Sequence, residues 1–166
     1  MSRKEVQKMQ LWRNEMNEEF AKEILGWKYA KPYDFYNNDV TEERLREMLD
    51  GSYSVLVDDN GKLIGFFCTG FSAQVPIGIE VGAYDGDGID IGLGMKPELT
   101  GRGHGSSFFS RILELVGEKK NELPLRLTVA AFNERAIRLY EKLGFEKESE
   151  FSTSSTKFIT MVQEER

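Results

Sequence analysis

The stretch from Gly88 to Glu148 constrains the fold of this chain more than any other part of it. It reads GIDIGLGMKPELTGRGHGSSFFSRILELVGEKKNELPLRLTVAAFNERAIRLYEKLGFEKE. Ile89, Ile91, Leu93 and Met95 alternate with Asp90, Gly92 and Gly94, a period-two strand with one face nearly stripped of side chains. Glycines in a strand mark a bulge or the close approach of another backbone. Pro97 leads into a glycine-rich turn. From Gly105 an amphipathic helix presents Phe108, Ile112, Leu115 and Val116 on one side and ends near Lys119 and Lys120. A strand over Leu123–Ala130 follows, then a helix capped by Asn133, with Gly144 where a left-handed C-terminal residue belongs. A glycine turn at a helix start is an anion site, because unpaired N–H groups and the helix dipole both point at the ligand. The order strand, anion turn, helix, strand, helix therefore suggests a phosphorylated cofactor held beside an open sheet edge.

Two blocks in this stretch resemble the GNAT N-acetyltransferase superfamily. Thr100-Gly101-Arg102-Gly103-His104-Gly105 occupies the place of its Arg/Gln-x-x-Gly-x-Gly/Ala signature. Asn133-Glu134-Arg135-Ala136-Ile137-Arg138-Leu139-Tyr140-Glu141-Lys142-Leu143-Gly144-Phe145 looks like its next motif, nearly position for position. The blocks cover roughly a third of the chain, and their order and separation also fit. Thr100 departs from the pattern, which has Arg or Gln there; a threonine can still donate to a phosphate. The resemblance implies an α/β (α+β) fold, GNAT-type, in a single N-acetyltransferase domain over residues 1–166. Its sheet is mixed and mainly antiparallel, with helices on both faces and a splayed parallel strand pair. The strand ending at Met95 and Leu125–Ala130 would be that pair, joined by a right-handed crossover. Gly92 and Gly94 suit a bulge that starts the splay.

The same resemblance implies acetyl-CoA as co-substrate. Backbone groups of Leu93, Gly94 and Met95 would pair with the pantetheine amides, and an N–H there would steady the oxyanion. Thr100, Gly101, Arg102, Gly103, His104, Gly105 and Ser106 would surround the phosphates, with Asn133 a further contact; the His104 ring reads as packing or a polar rim. The implied reaction moves an acetyl group directly to a primary amine of a small molecule or a protein, with no metal required. The alternative is a catalytically weak coenzyme A-binding sensor or partner domain, which Thr100 and the lack of a clear base permit.

Tyr140 lies seven residues after Asn133, two helical turns on, so both face one side of their helix. In the family this tyrosine commonly protonates the leaving thiolate, and a phenol is a credible acid for that task. A core tyrosine is the plainer reading. Asp90 falls near the strand position where some family members carry a catalytic glutamate, and is the candidate base. Glu80, Asp85 and Asp87 on the preceding connection could act through water instead, or be solvated charges. The dense aromatic segment Trp27–Tyr36 either lines an acceptor pocket, since aromatic faces attract ammonium groups, or is core or a subunit contact.

The remaining elements read simply. A short strand is expected over Val6–Trp12, and helices over Asn17–Trp27 and Thr41–Leu49. Ser52–Asp58 and Lys62–Phe71 flank Asn60-Gly61, a strong hairpin signal. Ser72–Gly88 is a long glycine-rich connection, and Phe145–Phe151 with Thr156–Gln163 would close the sheet as an antiparallel pair.

Other chemistries fit poorly. A dinucleotide site needs its glycines directly after the strand and an acid at the end of the next; here Lys96–Thr100 intervene and Glu122 precedes the strand. Asp85–Asp90 imitates a calcium loop but has Asp90 in the glycine position and Lys96 in the closing glutamate position. One Cys and one His cannot form a usual zinc site or an intrachain disulfide. No apolar stretch approaches the roughly 20 residues that span a bilayer, and the start shows no secretory pattern. A cytoplasmic protein with no membrane partner is expected. The net charge of −6 speaks against nucleic acid and is compatible with a cationic amine. A homodimer is the default among oligomers.

Overall fold

The computed structural model describes residues 10–117 and 123–163. Its strands are β1 (Trp12–Glu15), β2 (Tyr53–Val57), β3 (Leu63–Thr69), β4 (Ile89–Met95), β5 (Leu125–Ala130), β6 (Glu146–Ser152) and β7 (Lys157–Gln163). The α-helices among the described residues are α1 (Glu18–Leu25), α2 (Glu42–Met48), α3 (Pro76–Glu80), α4 (Gly105–Gly117) and α5 (Glu134–Lys142). The strands hydrogen-bond in the order β1-β2-β3-β4-β5-β7-β6. The β1–β2, β2–β3, β5–β7 and β6–β7 pairs are antiparallel, and β4–β5 is parallel. The fold is the mixed, mainly antiparallel α/β architecture expected from the sequence.

The expected Val6–Trp12 strand is corrected: β1 begins at Trp12, and residues 6–9 lie outside the described residues. So do Lys119, Lys120 and Glu122. The Ser72–Gly88 connection is not plain loop; it carries α3, started by Pro76 in the first turn, where a missing N–H costs nothing. Side-chain caps start the first two helices. Asn17 and Thr41 each accept the N–H three residues on, from Phe20 and Arg44.

The chain divides into two compact units, Met1–Cys68 with Leu93–Leu115, and Thr69–Gly92 with Val116–Arg166. In the first, α1 and α2 pack Ala21, Ile24, Leu25 and Met48 against Val55, Val57 and Leu63 of β2 and β3, with Trp27 among them. Fully burying each of the side chains Ile24, Leu25, Met48, Val55, Val57 and Leu63 stabilises by about 1.5–3 kcal/mol. Strand alternation turns neighbouring residues to opposite faces. Phe66 joins the α1–α2 side, against Trp27 and Tyr53. Gly65 faces the other side, where a Cβ would strike the Phe108 ring of α4. In this unit the sheet is covered on both faces.

In the second unit β5, β7 and β6 form a continuous antiparallel ladder, with a register shift between Lys147 and Ser149. Its buried residues include Leu125, Leu127, Phe145 and Met161. Phe151 stacks on Phe158 at 5.5 Å, and α3 lies close enough that a Cβ on Gly78 would meet Phe151 and Tyr84. The parallel ladder is short: Ile89, Asp90 and Ile91 pair with Leu125, Arg126 and Leu127.

Candidate active site

The glycine turn lies in the first unit. A short 3-10 turn, Pro97–Leu99, brings the chain to Thr100, and the backbone then takes φ of 71° at Gly101 and 86° at Gly103. L-residues rarely adopt this left-handed region, which is why glycine stands there. Phe108 N–H donates to the His104 carbonyl, so His104 caps α4 and the N–H groups of Gly105, Ser106 and Ser107 precede the helical ladder. Arg102 is exposed beside them. Among the described residues, the His104 Nδ1 is buried with no hydrogen-bond partner. A buried orphan of this kind costs about 1–3 kcal/mol, which a polar ligand can relieve. Positive-φ glycines, free N–H groups, a helix dipole and a nearby guanidinium together make an anion cradle. Thr100 differs from the sequence reading: its hydroxyl donates to the Pro97 carbonyl at 2.7 Å, so its proton is held by the turn.

The end of β4 lies in the same unit. Gly94 is small because the Phe66 ring presses on it; a Cβ there would come 2.7 Å from Phe66 Cζ. The Met95 carbonyl accepts the Tyr29 hydroxyl at 2.7 Å, and Lys96 N–H donates to the Ile64 carbonyl. The Met95 carbonyl, expected to meet the pantetheine arm, is thus occupied by Tyr29.

The second unit holds Asp90. It is 3 % exposed, and its carboxylate meets Arg126, also 3 % exposed, in a two-bond fork, Nε to Oδ1 at 2.7 Å and Nη2 to Oδ2 at 2.9 Å. Gln74 Nε2 adds a third bond to Oδ2. Arg126 Nη1 also donates to the Gly86 carbonyl, and its guanidinium lies 5.3 Å from the centre of the Tyr84 ring. The hydrogen bond to Asp90 holds Arg126 more firmly protonated than usual, against the opposing effect of burial. This arrangement argues against Asp90 as the base. Taking a proton would break the fork and strand a buried guanidinium. Glu80, Asp85 and Asp87, the other carboxylates considered, are exposed.

Tyr140 and Asn133 belong to this unit too. Asn133 caps α5 by accepting Ala136 N–H at 3.1 Å. Tyr140 is 9 % exposed, with its ring 6.4 Å from Phe145. Sequence reasoning missed Arg126, Gln74 and Tyr84. The signal was present in two strands expected to pair: a lone cation in Leu125-Arg126-Leu127 and a lone anion in Ile89-Asp90-Ile91.

The match that decides the family covers residues 11–145, which fit the model of the acetyltransferase (GNAT) family. The chain belongs to the GNAT family. It is an N-acetyltransferase by that membership. Solved structures agree on the fold. A GNAT-family acetyltransferase of Bordetella pertussis superposes with a TM-score of 0.70 at 16% identity, over 94% of this chain and 97% of that one. The mutant forms of the spermidine/spermine N-acetyltransferase SpeG of Vibrio cholerae give 0.63 at 20% identity, over 92% and 93%. An acetyltransferase of Acinetobacter baylyi gives 0.68 at 16%, over 93% of each chain. No curated protein sequence matches the chain. Among the described residues no helix is long and apolar enough to cross a membrane.

Proposed function

We propose that this GNAT protein, acting as a single domain over residues 1–166, transfers the acetyl group of acetyl-CoA directly to a primary amine. The observation that carries this reading is the turn before α4, where Gly101 and Gly103 adopt left-handed backbone and the buried His104 Nδ1 lacks a partner. That geometry fits a pyrophosphate, held by the N–H groups of Gly103 to Ser106 with Arg102 adding a charged bond. The thioester supplies the activated acyl group. Backbone groups of Leu93 and Gly94 would meet the pantetheine amides. Tyr140 would donate the proton to the departing sulfur, and Asn133 would set the start of its helix.

Asp90 then serves as a positioning residue through Arg126, and the amine proton would leave by water to an exposed carboxylate of Glu80, Asp85 or Asp87. The acceptor is a small-molecule or protein amine. The spermidine substrate named for the SpeG structures makes polyamines the first to try. We place the protein in the cytoplasm, without nucleic-acid or membrane partners and with a homodimer the first oligomer to test.

Two measurements test the reading. Calorimetry should show coenzyme A binding, and thiol release from acetyl-CoA should appear with one member of an amine panel. Tyr140→Phe should leave acetyl-CoA affinity nearly unchanged and lower turnover on the order of 10- to 1,000-fold. Binding without thiol release for any amine would favour a coenzyme A-binding sensor. A Tyr140→Phe enzyme at the wild-type rate across pH would remove Tyr140 as the acid.

A further inference from the structure

The fork locks Asp90 and Arg126, but another polar group on the same face of β5 takes no part in the chemistry above. Arg126 and Thr128 stand two residues apart on that strand, so their side chains share a face. The β4–β5 ladder ends at Ile91 with Leu127, while β4 runs on through Gly92 and β5 through Thr128. Thr128 is therefore the first β5 residue beyond the point where the two strands cease to pair. It is half-buried, and its Oγ1 lies 2.7 Å from the Tyr84 hydroxyl. The Tyr84 oxygen also accepts Val75 N–H at 3.0 Å. Two hydroxyls carry two hydrogens, and the bond between them uses one. Val75 already fills an acceptor position on the phenol, so the phenol gives its hydrogen to Thr128 and Thr128 keeps its own to donate. Among the described residues that hydrogen meets no acceptor. A hydroxyl that accepts one hydrogen bond is also a stronger donor of the next, because chained bonds polarise one another.

We propose that Thr128 is a catalytic residue of the acetyl transfer. Its hydroxyl donates a hydrogen bond to the carbonyl oxygen of the acyl group lying where β4 and β5 part, with Tyr84 as the positioning residue behind it. The inference rests on the acetyl-CoA reading above. The amine lone pair forms the new C–N bond, and the carbonyl π pair moves onto oxygen. The Thr128 hydrogen bond strengthens as charge collects there. Collapse returns the pair to the carbonyl and breaks the C–S bond, and the departing sulfur takes its proton from Tyr140. The amine proton leaves by water, and Thr128 keeps its own proton throughout. A donor aimed where charge develops speeds the reaction more than it tightens ground-state binding. The same hydroxyl pairing recurs farther along the sheet, where Ser149 Oγ meets Thr160 Oγ1 at 2.7 Å and Ser149 N–H donates to Thr160. That pair lies on β6 and β7, away from β4, and serves as the control for position.

The test compares calorimetric binding of coenzyme A with that of the unreactive ketone analogue of acetyl-CoA, in which a methylene replaces the sulfur. Thr128→Val keeps the shape and deletes the hydroxyl. It should bind coenzyme A within about twofold of wild type but lose about 2- to 10-fold in affinity for the ketone, the worth of one hydrogen bond. With the amine turned over in the panel, kcat should fall on the order of 100-fold, the scale of one lost oxyanion donor, with the amine KM nearly unchanged. Thr128→Ser should restore most of both. Tyr84→Phe should lose less than Thr128→Val, and should add nothing to it in the double variant. Ser149→Ala should leave the ketone preference and kcat as they are. An unchanged ketone preference in Thr128→Val would overturn the proposal, whatever the rates do. A raised amine KM with that preference intact would assign the hydroxyl to the amine instead. Equal losses of coenzyme A and ketone affinity with a lowered melting temperature would mark a purely structural bond, and so overturn it too. Failure of wild type to bind coenzyme A would bring down the acetyl-CoA reading itself, and calorimetry shows that separately.

Discussion

Asp90 shows how one residue changes meaning between sequence and structure. In the sequence it is an acid on a glycine-lined strand of an acetyltransferase, and so a candidate base. In the fold it is half of a buried fork with Arg126, each side chain 4% exposed. Two charges taken from water repay their desolvation only with good geometry and further bonds, and here Gln74 and the Gly86 carbonyl supply them. The pair also stitches the connection around α3 to β5, since Tyr84 next to it meets the Thr128 hydroxyl at 2.7 Å and accepts Val75 N–H. Removing one partner leaves the other charge buried alone. We expect Arg126→Met to cost about 3–5 kcal/mol by urea denaturation, and the double change Asp90→Leu with Arg126→Met to cost far less. Additive losses would show that the two residues do not act as a pair.

At the scale of elements, the glycines of β3 and β4 decide how closely helices and strands approach. The left-handed pair in the turn shapes a cradle, but Gly65 and Gly94 are there for packing. A Cβ on Gly65 would strike Phe108 and come 2.6 Å from the Gly94 carbonyl oxygen, a backbone atom that cannot step aside. On Gly94 it would press into the flat Phe66 ring, which has some freedom to shift. Overpacking of this kind typically costs about 1–3 kcal/mol. Gly65→Ala is therefore expected to lower stability by about 3 kcal/mol and Gly94→Ala by about 1–2, both read by urea denaturation. A Gly65→Ala protein as stable as wild type would show that α4 does not seat on β3 as described. The sequence reading gave Gly94 a role in the splay; the structure adds a plain steric one, the accommodation of Phe66.

At the scale of the whole molecule, two partly buried phenols set a limit on the alkaline side. Burial pushes the Tyr29 and Tyr53 hydroxyls well above their ordinary value of 10, with Glu98 adding to the first and Cys68 to the second. The folded protein keeps both protons where the unfolded chain begins to lose them. The stability they contribute is complete below about pH 10 and falls as pH rises further, by up to about 1.4 kcal/mol per pH unit for each phenol. Urea midpoints between about pH 8 and 11 should trace that fall, and Tyr53→Phe should make it shallower; a slope unchanged in Tyr53→Phe would show that its phenol does not drive it. The family was legible because local spacing alone writes it: glycines at a helix start, and Asn133 to Phe145 with caps and periodicity on one short helix. The Asn133 helix cap and the Asn60-Gly61 hairpin were legible for the same reason, since each is fixed by neighbours in sequence; the parallel pair was expected only through the family resemblance. The Asp90–Arg126 fork joins residues 36 positions apart, and the Tyr29–Met95 bond joins residues 66 apart. Local chemistry determined the elements and the glycine turn before α4, because dihedral preference and periodicity act over a few residues. Only the tertiary structure decided which polar groups are paired and therefore withdrawn from the chemistry, because burial and partnership belong to the packed chain.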